Sequence, residues 1–227
     1  VMYKAIILFL SMFISLYCFS QNEEVDNKYR EDQIYFGLYY NSLLENPSDF
    51  NQNKFSSSLN MGFIRDFPFN QSRNFGIGIG LGLSTSSYSH NLKLINENNQ
   101  FNGILIDDYN SFNKNKWIFN EIEAPFEIRW RTSTPENYKF WRVYFGIKTS
   151  YIFSSKFKYD SPNENYSESS LPFNKFQSGF TINAGNNTWN LGLYLGLRPL
   201  FNDQFIKKHS EFKNMKQFKV GLIFYIL

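Results

Sequence analysis

At 227 residues the chain suits a single domain, and its formal net charge of +3 is too small to argue for a nucleic-acid partner. It carries 26 Phe, 15 Tyr and 4 Trp, yet its mean hydropathy is negative. That combination fits apolar residues spread along alternating strands better than a solid apolar core, and a lone Cys rules out a disulfide framework.

The first twenty residues have the layout of a cleaved signal peptide. Lys4 precedes the apolar run AIILFLSMFISLY, Ala5 to Tyr17, and small residues fall at −3 and −1 if cleavage follows Ser20. The run is shorter than the roughly 20 residues that a membrane-spanning helix needs. Tyr17 sits where a lipobox wants a small residue, which argues against Cys18 as a lipidated terminus. Residues 21–33 are then a short polar periplasmic segment, and a barrel domain occupies 34–227.

Period-two alternation marks eight strands: roughly Ile34 to Leu43, Ser57 to Phe67, Asn74 to Ser89, Trp117 to Arg131, Lys139 to Ser154, Asn174 to Gly185, Trp189 to Leu200 and Lys216 to Leu227. The second, fourth and sixth links are short: Pro68 to Asn74, Thr132 to Asn137, and Ala184 to Asn187. The others are longer and rich in Asn and Ser, such as Leu44 to Ser56, His90 to Lys116 and Ser155 to Phe173. Eight antiparallel up-and-down strands with tight turns at one end and long loops at the other describe an all-β transmembrane barrel of the outer membrane. A soluble lipocalin-like barrel is the rival, with its apolar face inward.

The third strand contains FGIGIGLGL, Phe75 to Leu83. Its glycines miss the G-x-G-x-x-G spacing of a dinucleotide site, and no Gly-Lys-Ser/Thr follows to make a P-loop. Period two instead puts Gly76, Gly78, Gly80 and Gly82 on one face, which predicts a glycine column lining a narrow lumen and leaving room for Glu and Arg from other strands.

On the fourth strand Glu121, Glu123, Glu127, Arg129 and Arg131 share a face, opposite Ile122, Phe126, Ile128 and Trp130. Charges shut inside a small barrel must be paired, so these are expected to form a lumen network with Arg142, Lys148, Arg198 and Lys219. Aromatics near strand ends, Phe67, Phe69, Trp130, Phe140, Trp141, Tyr151, Phe153, Trp189, Phe201, Phe224 and Tyr225, are expected in interfacial girdles facing lipid. His90 and His209 lie near serines and keep a hydrolase in view, but Ser-rich loops have this composition without catalysis, and no catalytic, cofactor or metal motif emerges.

At EIEAPFEIRWRTSTPENYKFWRVYFGIKTSYIFSSK, Glu121 to Lys156, the sequence resembles the PorT family of small outer-membrane barrels from the Bacteroidetes. NTWNLGLYLGLRPLF, Asn187 to Phe201, and KVGLIFYIL, Lys219 to Leu227, are similar to that family's C-terminal strands, although a terminal Leu replaces the usual aromatic residue. The resemblance implies a non-enzymatic accessory or assembly factor of type IX protein secretion. Its expected partners are outer-membrane lipid and other secretion-machinery proteins, with no nucleic acid and no identified small-molecule substrate. The runner-up is a general porin-like barrel that shapes the envelope or passes a small solute.

Overall fold

The computed structural model describes residues 32–52, 54–98, 100–133 and 140–226. The expected signal peptide at 1–20, and segment 21–33 apart from its last two residues, lie outside the described residues. Eleven strands are described: β1 (Gln33–Leu44), β2 (Ser57–Pro68), β3 (Phe75–Ser89), β4 (Leu92–Glu97), β5 (Gln100–Leu105), β6 (Lys114–Arg131), β7 (Trp141–Asp160), β8 (Asn165–Ser169), β9 (Phe176–Asn186), β10 (Trp189–Gly196) and β11 (Lys216–Ile226). A four-residue helix, α1 (Asp203–Ile206), lies between β10 and β11.

Eight of the strands close into a barrel. The order β6-β3-β2-β1-β11-β10-β9-β7 is sealed by direct pairing of β6 with β7, so every wall strand has two antiparallel neighbours. Closure satisfies the backbone N–H and C=O groups that an open edge would leave bare in lipid. The first and last strands pair from Ile34↔Ile226 to Leu44↔Lys216. The β4–β5 hairpin stands apart, and β8 adds to the upper part of β7.

Burial alternates along the wall as the sequence pattern demands. Ile34, Phe36 and Leu38 on β1 and Val143, Phe145 and Ile147 on β7 all point outward. Leu81 and Trp189 each leave 64% of their surface uncovered, an apolar band that water would not tolerate and lipid would. The lipocalin alternative fails on this point, because the inward face is the polar one.

On β7 the alternation breaks once. Asn120 of β6 pairs with Ser154, but Glu121 pairs with Ile152, so Phe153 is an extra residue in a bulge. Below it the even-numbered residues Tyr144, Ser150 and Ile152 point inward, whereas above it Phe157 and Tyr159 do. The bulge swaps the face that β7 presents where the wall leaves the apolar band.

The long links do not trail as polar loops; they fold together into a cap. Its core takes Phe50 from the β1–β2 link, Leu92 and Leu94 from β4, Leu171 and Phe173 from the β8–β9 link, and Phe201, Phe205, Phe212 and Met215 from the β10–β11 link. These pack on the upper wall residues Tyr88, Trp117, Phe119 and Phe157. Trp117 sits at the centre, edge-on to Phe173 and Phe201 at 5.5 and 5.7 Å.

The asparagines that made these links look like loops stitch them together. Asn91 accepts from the Asn51 N–H at 2.8 Å and donates to the carbonyls of Asp49 and Ile106. Asn174 donates to the carbonyls of Pro199 and Phe201 at 2.9 and 2.8 Å, and the Asn202 side chain caps α1 by accepting from the Phe205 N–H.

The aromatic girdle is smaller than expected. Phe67, Phe69, Trp130, Trp141, Phe153 and Trp189 do face outward. Phe140, Phe201 and Tyr225 do not: Phe140 packs beneath the Arg142 guanidinium, Phe201 belongs to the cap core, and Tyr225 has an inward register on β11. Proximity to a strand end does not say which face a side chain takes; parity and tertiary packing do.

Candidate functional site

The lumen is the densest polar site of the molecule, and its geometry follows from strand pairing. Tyr35 on β1 pairs with Gly62, Gly62 with Gly82, and Gly82 with Glu123, which sets four lumen-facing residues in one row across four strands. With no side chain on either glycine, the Tyr35 ring lies across two strands and its hydroxyl donates to Glu123 Oε1 at 2.8 Å. A Cβ built on Gly62 would stand 2.6 Å from that hydroxyl. On the other side Tyr39 lies over Gly221 and Gly192, and a Cβ on Gly192 would meet its hydroxyl at 2.5 Å. In the column on β3, Gly78 leaves room for the Arg129 side chain and Gly80 for Ile64 and Pro125. Gly76 lies instead against the β2 backbone at Phe67 and Pro68.

Two polar clusters fill the space between these rings. In the middle, Glu123 also accepts from Asn60 Nδ2 at 3.1 Å and from Lys148 Nζ at 2.8 Å. One turn of the ladder above, Glu121 accepts from the Ser150 hydroxyl at 2.7 Å and lies 3.5 Å from Lys219, which donates to Ser86. The Tyr194 ring lies under both ammonium groups, at 5.0 and 5.5 Å. Near the short-turn end Asp66 accepts from Arg131 through two oxygens, at 2.8 and 2.7 Å, and from Arg129 Nη1 at 3.1 Å. Arg129 also donates to Glu127 at 3.3 Å and to Gln33, and Asn183 donates to Glu127. The gap left beside Tyr35, Glu123, Lys148 and Tyr194 is about 20 Å³, the space of one water molecule.

Glu121, Glu123, Glu127, Arg129, Arg131, Lys148 and Lys219 are thus brought together in the lumen. Arg142 is buried there too, but its Nε and Nη1 have no hydrogen-bond partner among the described residues, and it lies instead over the rings of Phe140 and Tyr225 at 4.5 and 5.3 Å. Arg198 is a correction. β10 ends at Gly196, and Arg198 sits exposed on the bend that follows, so extrapolating the alternation two residues too far put it in the lumen.

Asp66, Gln33, Tyr35 and Tyr39 are contributors that the sequence reading missed. Their signal was available: Asn60, Ile64 and Asp66 oppose Met61 and Phe63 on β2, and an acid on a lumen face calls for a cation.

Both histidines hold parts of the cap together. His90 lies 3.7 Å from the Trp117 ring centroid inside the cap, and its Nδ1 accepts from the Leu92 N–H. His209 Nε2 accepts from the Gly103 N–H at 3.1 Å, tying the β10–β11 link to β5. Among the described residues no group of His, Cys, Asp and Glu could hold a metal ion.

Burial pushes the pKa of His90 down to about 3. An opened cap exposes an imidazole that binds a proton near its ordinary pKa of about 6.5, whereas the closed cap refuses it. Cap stability should therefore fall as pH drops through that window, by at most about 1.4 kcal/mol per pH unit. Urea titrations at about pH 7 and about pH 4.5, followed by the near-ultraviolet dichroism of the buried aromatics, should show the cap midpoint falling in the wild type and falling less in His90→Phe. Equal falls in both would remove His90 from the acid response.

The outer membrane protein beta-barrel domain family matches residues 19–202, most of the chain. The chain belongs to that family. No curated protein sequence matches it. Among solved structures, the chain is similar to Ail, the attachment invasion locus protein of Yersinia pestis. One Ail crystal structure, in complex with the heparin analogue sucrose octasulfate, aligns over 87% of this chain and 99% of Ail at 12% identity, with a TM-score of 0.39. A second Ail structure aligns over 86% and 97%, also at 12% identity, with a TM-score of 0.35. As a member of the outer membrane β-barrel family, the protein resides in the outer membrane. In such barrels short turns face the periplasm and long connections face outward, so the cap is the extracellular end.

Proposed function

We propose that this outer-membrane barrel works as a non-conducting, non-enzymatic scaffold, and that the process it serves is type IX protein secretion, as an accessory or assembly factor. The observation that carries the scaffold reading is the filled lumen: tyrosines over glycine pairs, salt-bridged charges, and an aromatic cap above them. A barrel so packed has its outer wall, its cap and its periplasmic turns left for contacts with other proteins. The secretion reading rests on the PorT-like stretches Glu121 to Lys156, Asn187 to Phe201 and Lys219 to Leu227.

A clean deletion strain, complemented in parallel, tests the process. Cargo carrying the C-terminal secretion signal should accumulate inside the cell while other outer-membrane proteins stay at normal levels. Unchanged export would sink the secretion role. Planar-bilayer recordings of the purified barrel test the scaffold separately: steady conductance steps would return the solute-passing barrel to the front.

A further inference from the structure

The cap carries a cleft that the scaffold reading does not use. A hollow of about 370 Å³ opens between the start of β5, the link into β9 and α1. Its floor is apolar, built from Phe101, Leu171, Phe173 and Phe205, and Lys175, Lys207 and Lys208 stand around it. A second hollow of about 260 Å³ continues from it through Ser170, Leu171, Phe173 and Lys175, and adds Lys156 and the outward-facing Phe153. No carboxylate lines either one.

Some of the cap's cations are paired with acids. Lys93, Lys114 and Lys216 each face an acid, Glu164, Asp160 and Glu45 respectively. Among the described residues none of the four cleft lysines makes a salt bridge, and their one polar side-chain contact runs from Lys208 to the Gln100 amide oxygen. Four positive charges gathered around an apolar floor without an acid leave the local field uncompensated and attract an anion.

The height of the cleft says which kind of anion. Phe153 and Phe176 are exposed at 54% and 64% at the top of the apolar band, with Tyr151 packed on Phe176 at 5.0 Å between ring centroids. Lys156 follows Phe153 on β7, and Lys175 immediately precedes Phe176 at the start of β9, so the charges begin where the lipid-facing aromatics end. The second hollow runs from Phe153 to these lysines, a continuous path from apolar wall to basic cleft.

We propose that this cleft binds a phosphate-bearing glycolipid of the outer leaflet, its acyl chains along Phe153 and Phe176 and its phosphorylated sugar among Lys156, Lys175, Lys207 and Lys208. The assignment is independent of the secretion role and depends only on the barrel's place in the outer membrane. Aromatic and basic groups divide the work: the wall supplies apolar contact, and the ammonium groups supply charge-assisted contacts to phosphate oxygens.

The test uses full-length barrel in detergent micelles, with binding of purified diphosphorylated lipid A followed by native mass spectrometry. Dephosphorylation of the lipid should weaken binding to the wild type by on the order of tenfold or more, and the fourfold variant Lys156→Gln, Lys175→Gln, Lys207→Gln, Lys208→Gln should lose a similar factor. The control Lys158→Gln, Lys213→Gln, which alters cap lysines outside the cleft, should bind as wild type does. Equal binding of phosphorylated and dephosphorylated lipid by the wild type would overturn the proposal even if the fourfold variant failed to fold. Equal losses in the control and fourfold variants would overturn the cleft as the site. Displacement of the lipid by an equimolar soluble phosphorylated or sulfated sugar would overturn the lipid as the occupant.

Discussion

Replacing Asp66 by alanine should lower the temperature at which the folded barrel gives way to its unfolded, slower-migrating form on an SDS gel. Asp66 is fully buried and is the carboxylate that two guanidinium groups share, one of them through both of its oxygens. Taking it away strands positive charge in a closed lumen, and breaking a buried pair in this way costs about 3–5 kcal/mol. Adding Arg131→Met to Asp66→Ala should recover part of the loss, since an apolar side chain there needs no counter-charge, and Arg129 keeps its contact with Glu127. A transition temperature that does not move in Asp66→Ala would mean that the charge network leaves barrel stability untouched.

The second large effect is expected in the cap and should leave the barrel alone. Phe201 stacks on Phe205 at 4.4 Å, meets Trp117 and Phe212 at 5.7 and 5.8 Å, and is fully buried. Truncation to alanine removes a ring that Phe205, Phe212 and Trp117 pack against, a change worth about 3–5 kcal/mol. Trypsin should then cut the intact, membrane-embedded protein at Lys207 or Lys208, while the gel transition of the barrel stays within a few degrees of wild type. Unaltered resistance to trypsin would show that the cap does not depend on this cluster.

How far the sequence could be read depends on where local pattern and tertiary packing agree. All eight wall strands follow from period two because each faces lipid on one side and a crowded polar lumen on the other. The reading of β7 stopped at Ser154 although the strand runs to Asp160, because the bulge at Phe153 shifts the parity and the alternation no longer looks continuous. The glycine column was legible as a space-maker, but not the tyrosines that use the space, since Tyr35 and Glu123 are neighbours only through the register of four strands. The cap was illegible for a different reason. Phe50, Leu92, Phe173, Phe201 and Phe212 come in short apolar stretches on separate links, each too brief to announce a core, and they become one only when four links meet. Arg198 shows the opposite error, a correct alternation carried past the residue where the strand ends.

The same convergence of four links on one core sets an order of events. Leu43 belongs to the first wall strand and Met215 immediately precedes the last, yet both are buried in the cap, and the Tyr88 hydroxyl donates to Gln217 across the lumen. Contacts between such distant parts of a chain come late, after the segments that carry them have been brought together. The exterior of this protein can harden only once β1 and β11 have met and the ring is shut. Protease resistance at the cell surface then reports more than folding of the loops: it marks a finished insertion, and a barrel stalled with its seam open would present these aromatic segments unburied to whatever waits outside.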